Sequence, residues 1–342
     1  MRLLVCGGAG FIGSAFVRRT LLRNPDWEIV CLDKLTYAGN LDNLLPVAED
    51  PRYSFVRADI GDRAAVEKAI EDAGGVDAIV NFAAETHVDR SIAEPEAFLQ
   101  TDILGTHTLL EIVRANDIAK MVQVSTDEVY GSIDDGSYCE TARIHPSSPY
   151  SASKAGGDLQ VLAYHRTFGT PALITRGSNT YGPYQYPEKL IPLFVTNALE
   201  GGKLPLYGDG LNVRDWLHVD DHCAGLLLVL ARGRLGEKYN IGGGNERTNL
   251  QVVDGICDVL DGLRPLVTSR KSLKTFVSDR PGHDRRYAID ATKIRRELGW
   301  SPRHTFEDGL LETARWYVEH RDWCEGVQAG RYDRQRLGLG KQ

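Results

Sequence analysis

The apolar positions of this chain fall into short continuous runs, separated by longer stretches in which apolar residues recur every three or four positions. Leu3 to Cys6, Glu28 to Asp33, Tyr53 to Val56, Ala78 to Phe82, Met121 to Val124 and Ala172 to Thr175 read as strands. Between them lie helical patterns: one with apolar positions Phe11, Ile12, Phe16, Val17 and Leu21, then Arg63 to Asp72, Pro95 to Asn116 and Ser151 to Phe168. Strands alternating with helices at this spacing predict right-handed βαβ units, so the fold expected is α/β, a Rossmann-type doubly wound parallel sheet covered on both faces.

After Arg176 the texture changes. Gly, Pro and Tyr crowd residues 177–186, a helix is predicted from Lys189 to Leu199, and Gly201-Gly202 closes it. Shorter segments follow: helices near Asp220 to Leu230, Asn249 to Leu260, Thr292 to Leu298 and Phe306 to His320, and a strand at Lys238 to Ile241. The expectation is a dinucleotide-binding domain over 1–176, a smaller C-terminal substrate-binding lobe mainly over 177–330, and a frayed tail over 331–342. Segments near 215–243 are expected to return to the first domain.

Composition narrows the function classes. A net charge of -7 over 342 residues argues against a general nucleic-acid binder, which needs a basic surface to meet phosphates. The six cysteines include no CxxC pair, so neither a zinc ribbon nor a redox motif is suggested, and the compartment reads as reducing. No signal-peptide layout and no membrane-length apolar run is present; the expectation is a cytoplasmic protein.

The first strand and helix are joined by Gly7-Gly8-Ala9-Gly10-Phe11-Ile12-Gly13. Gly7, Gly10 and Gly13 allow a tight turn, a close backbone approach to a pyrophosphate, and an anion at a helix N-terminus. Asp33, at the end of the second strand, can accept from a ribose 2'-hydroxyl and would repel a 2'-phosphate, which favours NAD over NADP. Lys34 weakens that inference, because a cation there could serve a phosphate.

Ser125-Thr126-Asp127-Glu128-Val129-Tyr130-Gly131 follows the fifth strand, so two adjacent acids stand at the sheet edge where open α/β folds bind ligands. They read either as an acid and base or as a solvated turn. Tyr150 and Lys154 share one helix face at i, i+4, and a nearby ammonium should favour the phenolate. His218 and His222 have zinc-like spacing, but the glutamate of H-E-x-x-H and a third ligand are missing; no metal is expected, and Asp220 or Asp221 is read as a helix cap. Trp300, Trp316 and Trp323 are expected to pack the C-terminal lobe.

Glycine loop, Thr126 and Tyr150-x-x-x-Lys154 together resemble the extended short-chain dehydrogenase/reductases. Within them, "DKLTYAGN" at 33–40, "AAETHVDRS" at 83–91, "STDEVYG" at 125–131, "NTYGPYQYPEKLIPLF" at 179–194, "PLYGDGLNVRDWLHVDDH" at 205–222 and "RPGHDRRYAID" at 280–290 are similar to the dTDP-glucose 4,6-dehydratases. That resemblance implies bound NAD and oxidation of a nucleotide-linked hexose at C4 by Tyr150 and Lys154, with Thr126 holding the 4-hydroxyl. Glu128 would then take the C5 proton and Asp127 protonate the departing 6-hydroxyl. Phe11, Ile12, Thr36, Asp59, Ile60, Ala83 and Ala84 join the cofactor site by the same resemblance. Thr86, His87, Asn179, Lys189, Leu190, Pro205, Tyr207, Arg214, Asn249, Arg280 and His283 become the substrate site, with Arg285 and Arg286 left undecided. A homodimer through the helices around 95–116 and 151–168 is also implied. Two positions depart from the pattern: Asp102 and Thr180 stand where relatives commonly carry Asn, the second expected to alter the sugar pocket. Rival readings are a UDP-sugar 4-epimerase, a decarboxylase, a UDP-sugar dehydratase, or an NAD-sensing regulator without catalysis.

Overall fold

A computed structural model describes residues 1–279 and 282–331. Its centre is a seven-stranded, wholly parallel sheet of β1 (Arg2–Cys6), β2 (Glu28–Asp33), β3 (Tyr53–Arg57), β4 (Ala78–Asn81), β5 (Lys120–Thr126), β6 (Ala172–Gly177) and, from far down the chain, Lys238–Ile241. The strand order puts that last strand outermost, then β6, β5, β4, β1, β2 and β3. The order reverses between β1 and β4, and in this architecture the crevice beyond the strand carboxyl ends at that point receives ligands. Both faces are buried under helices: Leu3, Val5 and Cys31 pack on one side with Phe16 and Val17, while Leu4, Cys6 and Ile79 pack on the other with Leu109 and Val113. Continuous apolar strands are what a sheet covered on both faces requires.

The helical pattern from Pro95 to Asn116 is not one uniform α-helix. Pro95–Phe98 and Thr106–Ala115 flank a wider π-type stretch at Leu99–Gly105, and Asp102 lies inside it. The carbonyl of Asp102 stands where a side chain at Gly157 would be, 2.6 Å from its would-be Cβ, so the two helices meet nearly backbone to backbone. The helix Pro149–Phe168 starts with Ser148 as cap, in a reciprocal capping box with Ser151, and Pro149 at its first position. A cap of this kind contributes about 1 kcal/mol and here fixes where Tyr150 begins. Two turns on, Asp158 pairs with Arg176 of β6 at 2.9 Å, both fully buried, which locks the helix in register against the sheet.

Beyond residue 177 the chain forms small sheets that periodicity did not predict. β7 (Asn179–Tyr181), β8 (Leu204–Tyr207), β9 (Val213–His218), β11 (Glu246–Thr248) and β12 (Lys274–Val277) are three to six residues long, whereas β10, the Lys238–Ile241 strand of the main sheet, is where the sequence predicted it. β9 pairs with β7 and β11, and β12 with β8. A separate apolar cluster containing Phe194, Trp216, Val252, Leu310 and Tyr317 lies beneath them. No helix among the described residues is long and apolar enough to cross a membrane, and all six cysteines are free, with Cys139 alone exposed.

Two local expectations are corrected. Trp300 belongs to the core of the central sheet, its indole N–H donating to the Asp221 carbonyl at 3.1 Å. Trp316 and Trp323 do pack on the C-terminal cluster; Trp323, on a helix Arg321–Arg331 that sequence patterning missed, also donates to Asn43 Oδ1 at 3.1 Å. The cap of the helix Val219–Arg232 is His218, whose Nδ1 accepts from Asp220 N–H. Asp221 instead accepts from the Arg303 and His304 amides, because its carboxylate is buried against that incoming segment. The predicted tail from 332 onward lies outside the described residues.

Candidate active site

Two clefts of about 1330 and 1320 Å³ adjoin at the carboxyl edge of the sheet, with Tyr150, Thr86, Glu188 and Lys189 lining both. Every residue assigned to the cofactor from sequence lines the first cleft. The glycines there are sterically compelled. A Cβ on Gly7, which has φ +72°, would sit 2.4 Å from the Ala83 nitrogen, and one on Gly13 would sit 2.3 Å from the Gly7 carbonyl. The helix Phe11–Arg23 begins at Gly10 with no side-chain cap and no acid in its first turn, which leaves its N–H groups for an anion. Asp33 accepts from Ala9 N–H at 3.0 Å and Leu35 N–H at 2.8 Å, which aims its carboxylate at the cleft. Lys34 is paired with Asp59 at 2.7 Å, an exposed contact at the rim of this cleft. Cradle, donors and acid together fit a dinucleotide.

β5 runs to Thr126, and Asp127–Tyr130 form one 3₁₀ turn capped by the Thr126 hydroxyl, which accepts from Glu128 N–H at 3.3 Å. The turn sends the two acids different ways. Glu128 lines the second cleft beside Tyr150. Asp127 is buried, with one oxygen near Thr126 Oγ1 and the other lacking a hydrogen-bond partner. Burial first, then the charges of Glu128 and Asp215, hold the Asp127 carboxyl well above the usual range, against an opposing pull from Arg214. Both causes favour its protonated form. Lys154 points its ammonium at the Val124 carbonyl, 2.9 Å away. The expected lowering of the Tyr150 pKa by Lys154 is not what this geometry produces: burial, then Glu128 and Asp102, push the phenol well above its ordinary value.

The protonated state of Asp127 carries a stability prediction. An unfolded Asp titrates near 3.9, whereas the folded carboxyl titrates far higher, so the folded state holds the extra proton and loses stability as pH climbs past about 4. Asp127→Asn removes that cost. Its melting temperature is expected to exceed wild type by a few degrees at neutral pH, with the gap closing toward pH 4. Melting curves that run parallel across that range would contradict the buried acid.

The second cleft is lined by each residue assigned to substrate that the structure describes; Arg280 lies outside the described residues. Arg214 is held by the Val213 and Asp284 carbonyls at 2.7 and 2.9 Å, and its guanidinium lies 4.3 Å over the Tyr287 ring. His283 bonds Asp279 at 2.6 Å and meets the Tyr207 ring edge-on. Arg285 and Arg286 turn to Asp209 and Glu246 and are structural.

The family model for GDP-mannose 4,6 dehydratase matches residues 4–313. A dTDP-glucose 4,6-dehydratase of Neisseria meningitidis serogroup B is 50% identical over 99% of both chains. The chain belongs to the dTDP-glucose 4,6-dehydratase family. Among solved structures, the enzyme of that name from Streptomyces venezuelae, crystallised with NAD, superposes with a TM-score of 0.90 at 55% identity over 96% of this chain and all of the other. The one from Bacillus anthracis, also in complex with NAD, gives 0.88 at 51% identity over 96% and 99%.

Set against this dehydratase family, the two departures resolve differently. Asp102 is buried and accepts from Ser153 Oγ at 2.6 Å, and burial lifts its pKa to about 6. Thr180 does not enter the sugar cleft as expected. Its hydroxyl faces the Ser178 carbonyl and His222 Nδ1, at 3.1 and 2.8 Å, because β7 alternates and directs only Asn179 into the cleft. His222 is thereby occupied, buried and held neutral, its pKa lowered to about 4 by burial. Sequence reading missed Glu188, Tyr184, Gln185 and Tyr186 as cleft residues, although they sit inside the quoted 179–194 segment; Trp323 had no local signal.

Proposed function

We propose that this chain is an NAD-dependent dTDP-glucose 4,6-dehydratase, converting dTDP-glucose to dTDP-4-keto-6-deoxyglucose by oxidation at C4, loss of water across C5 and C6, and reduction at C6. The observation that carries the reading is the geometry of the 127–130 turn: a buried acid, pushed toward its protonated form, beside a carboxyl that opens on the second cleft next to Tyr150. An oxidation followed by return of hydrogen to the same carbon needs only Tyr150 and Lys154. An elimination needs a base for the C5 proton and an acid for the leaving hydroxyl, and Glu128 and Asp127 are of the right kind.

When bound, NAD supplies the hydride acceptor for C4 and donor for C6. The glycine loop and Asp33 would hold it, and the Asp33 carboxylate on the cleft would repel the 2'-phosphate of NADP. Tyr150 takes the 4-hydroxyl proton and Thr126 hydrogen-bonds the same oxygen. The new ketone acidifies C5–H, Glu128 removes that proton, and Asp127 protonates the departing 6-hydroxyl; on reduction at C6 a proton returns to C5. In this reading Arg214 and Lys189, which line the second cleft, meet the diphosphate and Tyr207 flanks the base, so remote binding energy orients the hexose. Turnover in deuterated water should place solvent deuterium at C5, and a C4 deuterium label should migrate to C6. Retention of the label at C4 with an inverted hydroxyl would indicate an epimerase instead.

The chain also acts as a homodimer in this reading. Leu99, Leu104, Leu159 and Phe168 are exposed on the helices around 95–116 and 149–168, and covering them removes apolar surface from water. Light scattering should return twice the 37.8 kDa chain mass; a monomer at micromolar concentration would overturn it.

A further inference from the structure

Three segments meet at the rim shared by the two clefts: the loop after β2, the stretch after β4, and the residues leading into the helix Leu190–Glu200. Tyr37, from the first, donates to the Thr86 carbonyl at 2.6 Å and lies 3.0 Å from Glu188 Oε1. The Arg90 guanidinium covers the Tyr37 ring at 3.6 Å from its centroid, and Arg90 Nε approaches Glu188 Oε2 at 3.4 Å. Tyr186 meets the same ring edge-on at 5.5 Å. The Glu188 side chain is only 1% exposed although it borders both clefts.

The backbone gives a second, independent sign. Each segment carries a non-glycine residue in the left-handed region: Leu35 at φ +58°, His87 at +89° and Tyr184 at +67°. Among the described residues only Asp117 shares that property. Such conformations persist where surrounding contacts over-determine them, and they gather where loops do a job. Tyr37 itself does not line the first cleft, while its neighbours Thr36 and Ala38 do. Its contacts therefore bind loop to loop at the rim of the first cleft.

We propose that Tyr37, Arg90 and Glu188 form a clasp that keeps NAD in its cleft throughout one turnover. This rests on the cofactor reading above and deepens it. In the proposed reaction the same cofactor molecule is the oxidant of the first half and the reductant of the second, so its escape between halves would strand the sugar as a ketone. The three residues are positioning residues: they close the loops that hold the cofactor and touch no reacting atom.

The test uses the holoenzyme loaded with isotopically labelled NAD and chased with unlabelled NAD, without any sugar nucleotide. Tyr37→Phe, which keeps the ring and removes one hydroxyl, and Glu188→Gln should each release label about tenfold faster than wild type. Arg90→Lys, which keeps the charge and loses the planar stack, should also accelerate release. The melting temperature of the NAD-free Tyr37→Phe protein should match wild type, a result that separates retention from general loosening. Release within about twofold of wild type in both Tyr37→Phe and Glu188→Gln overturns the clasp. A wild-type protein that holds no labelled NAD overturns the cofactor reading, and the clasp with it.

Discussion

Glu128→Gln is expected to lower turnover roughly 100- to 10,000-fold while leaving NAD bound, the range for removing a general base. The substitution is close to isosteric, and the turn is held by main-chain and Thr126 contacts that an amide does not disturb. The block should fall after oxidation at C4, since Tyr150 and Lys154 are intact. Mixing enzyme and dTDP-glucose should therefore still reduce cofactor, seen by absorbance, with almost no 4-keto-6-deoxy product by mass spectrometry. A variant with wild-type turnover would remove Glu128 from the elimination and, with it, the main argument for dehydration.

Tyr150→Phe should stop the reaction one step earlier. The phenol stands where the two clefts meet, and no other described phenol lines both. The ring's edge contact with Phe98, at 6.2 Å, survives the change, so the fold is expected to hold. Burial and the neighbouring carboxyls keep the Tyr150 proton in place at neutral pH. Removing it is therefore a step the site must drive, and here the Lys154 ammonium is turned to the Val124 carbonyl. The expected loss in turnover is again at least 100-fold, but here without any reduced cofactor. Appearance of reduced cofactor on adding dTDP-glucose would contradict the role. The two variants thus separate the redox half from the elimination half by a single absorbance reading.

The central sheet and the cofactor cleft were legible because their signals are local. A strand buried on both faces must be apolar along its length, and a loop that brings backbone against backbone at Gly7 and Gly13 admits no Cβ. The second half was less legible. β9 carries Arg214, Asp215 and His218, all buried, and is a strand only because β7 and β11 pair with it from either side. The π-type stretch at 99–105 likewise depends on Gly157 coming close, not on its own residues.

The candidate residues could be named from the chain alone: the glycine loop, Asp33, the Asp127-Glu128 pair, Tyr150 and Lys154 are marked by residue type and spacing. Their protonation could not. Which of two adjacent acids keeps a proton depends on where a turn buries it, and the 3₁₀ geometry after Thr126 buries Asp127 and opens Glu128 to the cleft. Likewise the contacts of Tyr37 with Arg90 and Glu188 join residues up to 151 positions apart, a distance over which no spacing rule operates. Covalent neighbours and periodicity are written in the chain; desolvation, charge proximity and the meeting of loops exist only once it has folded.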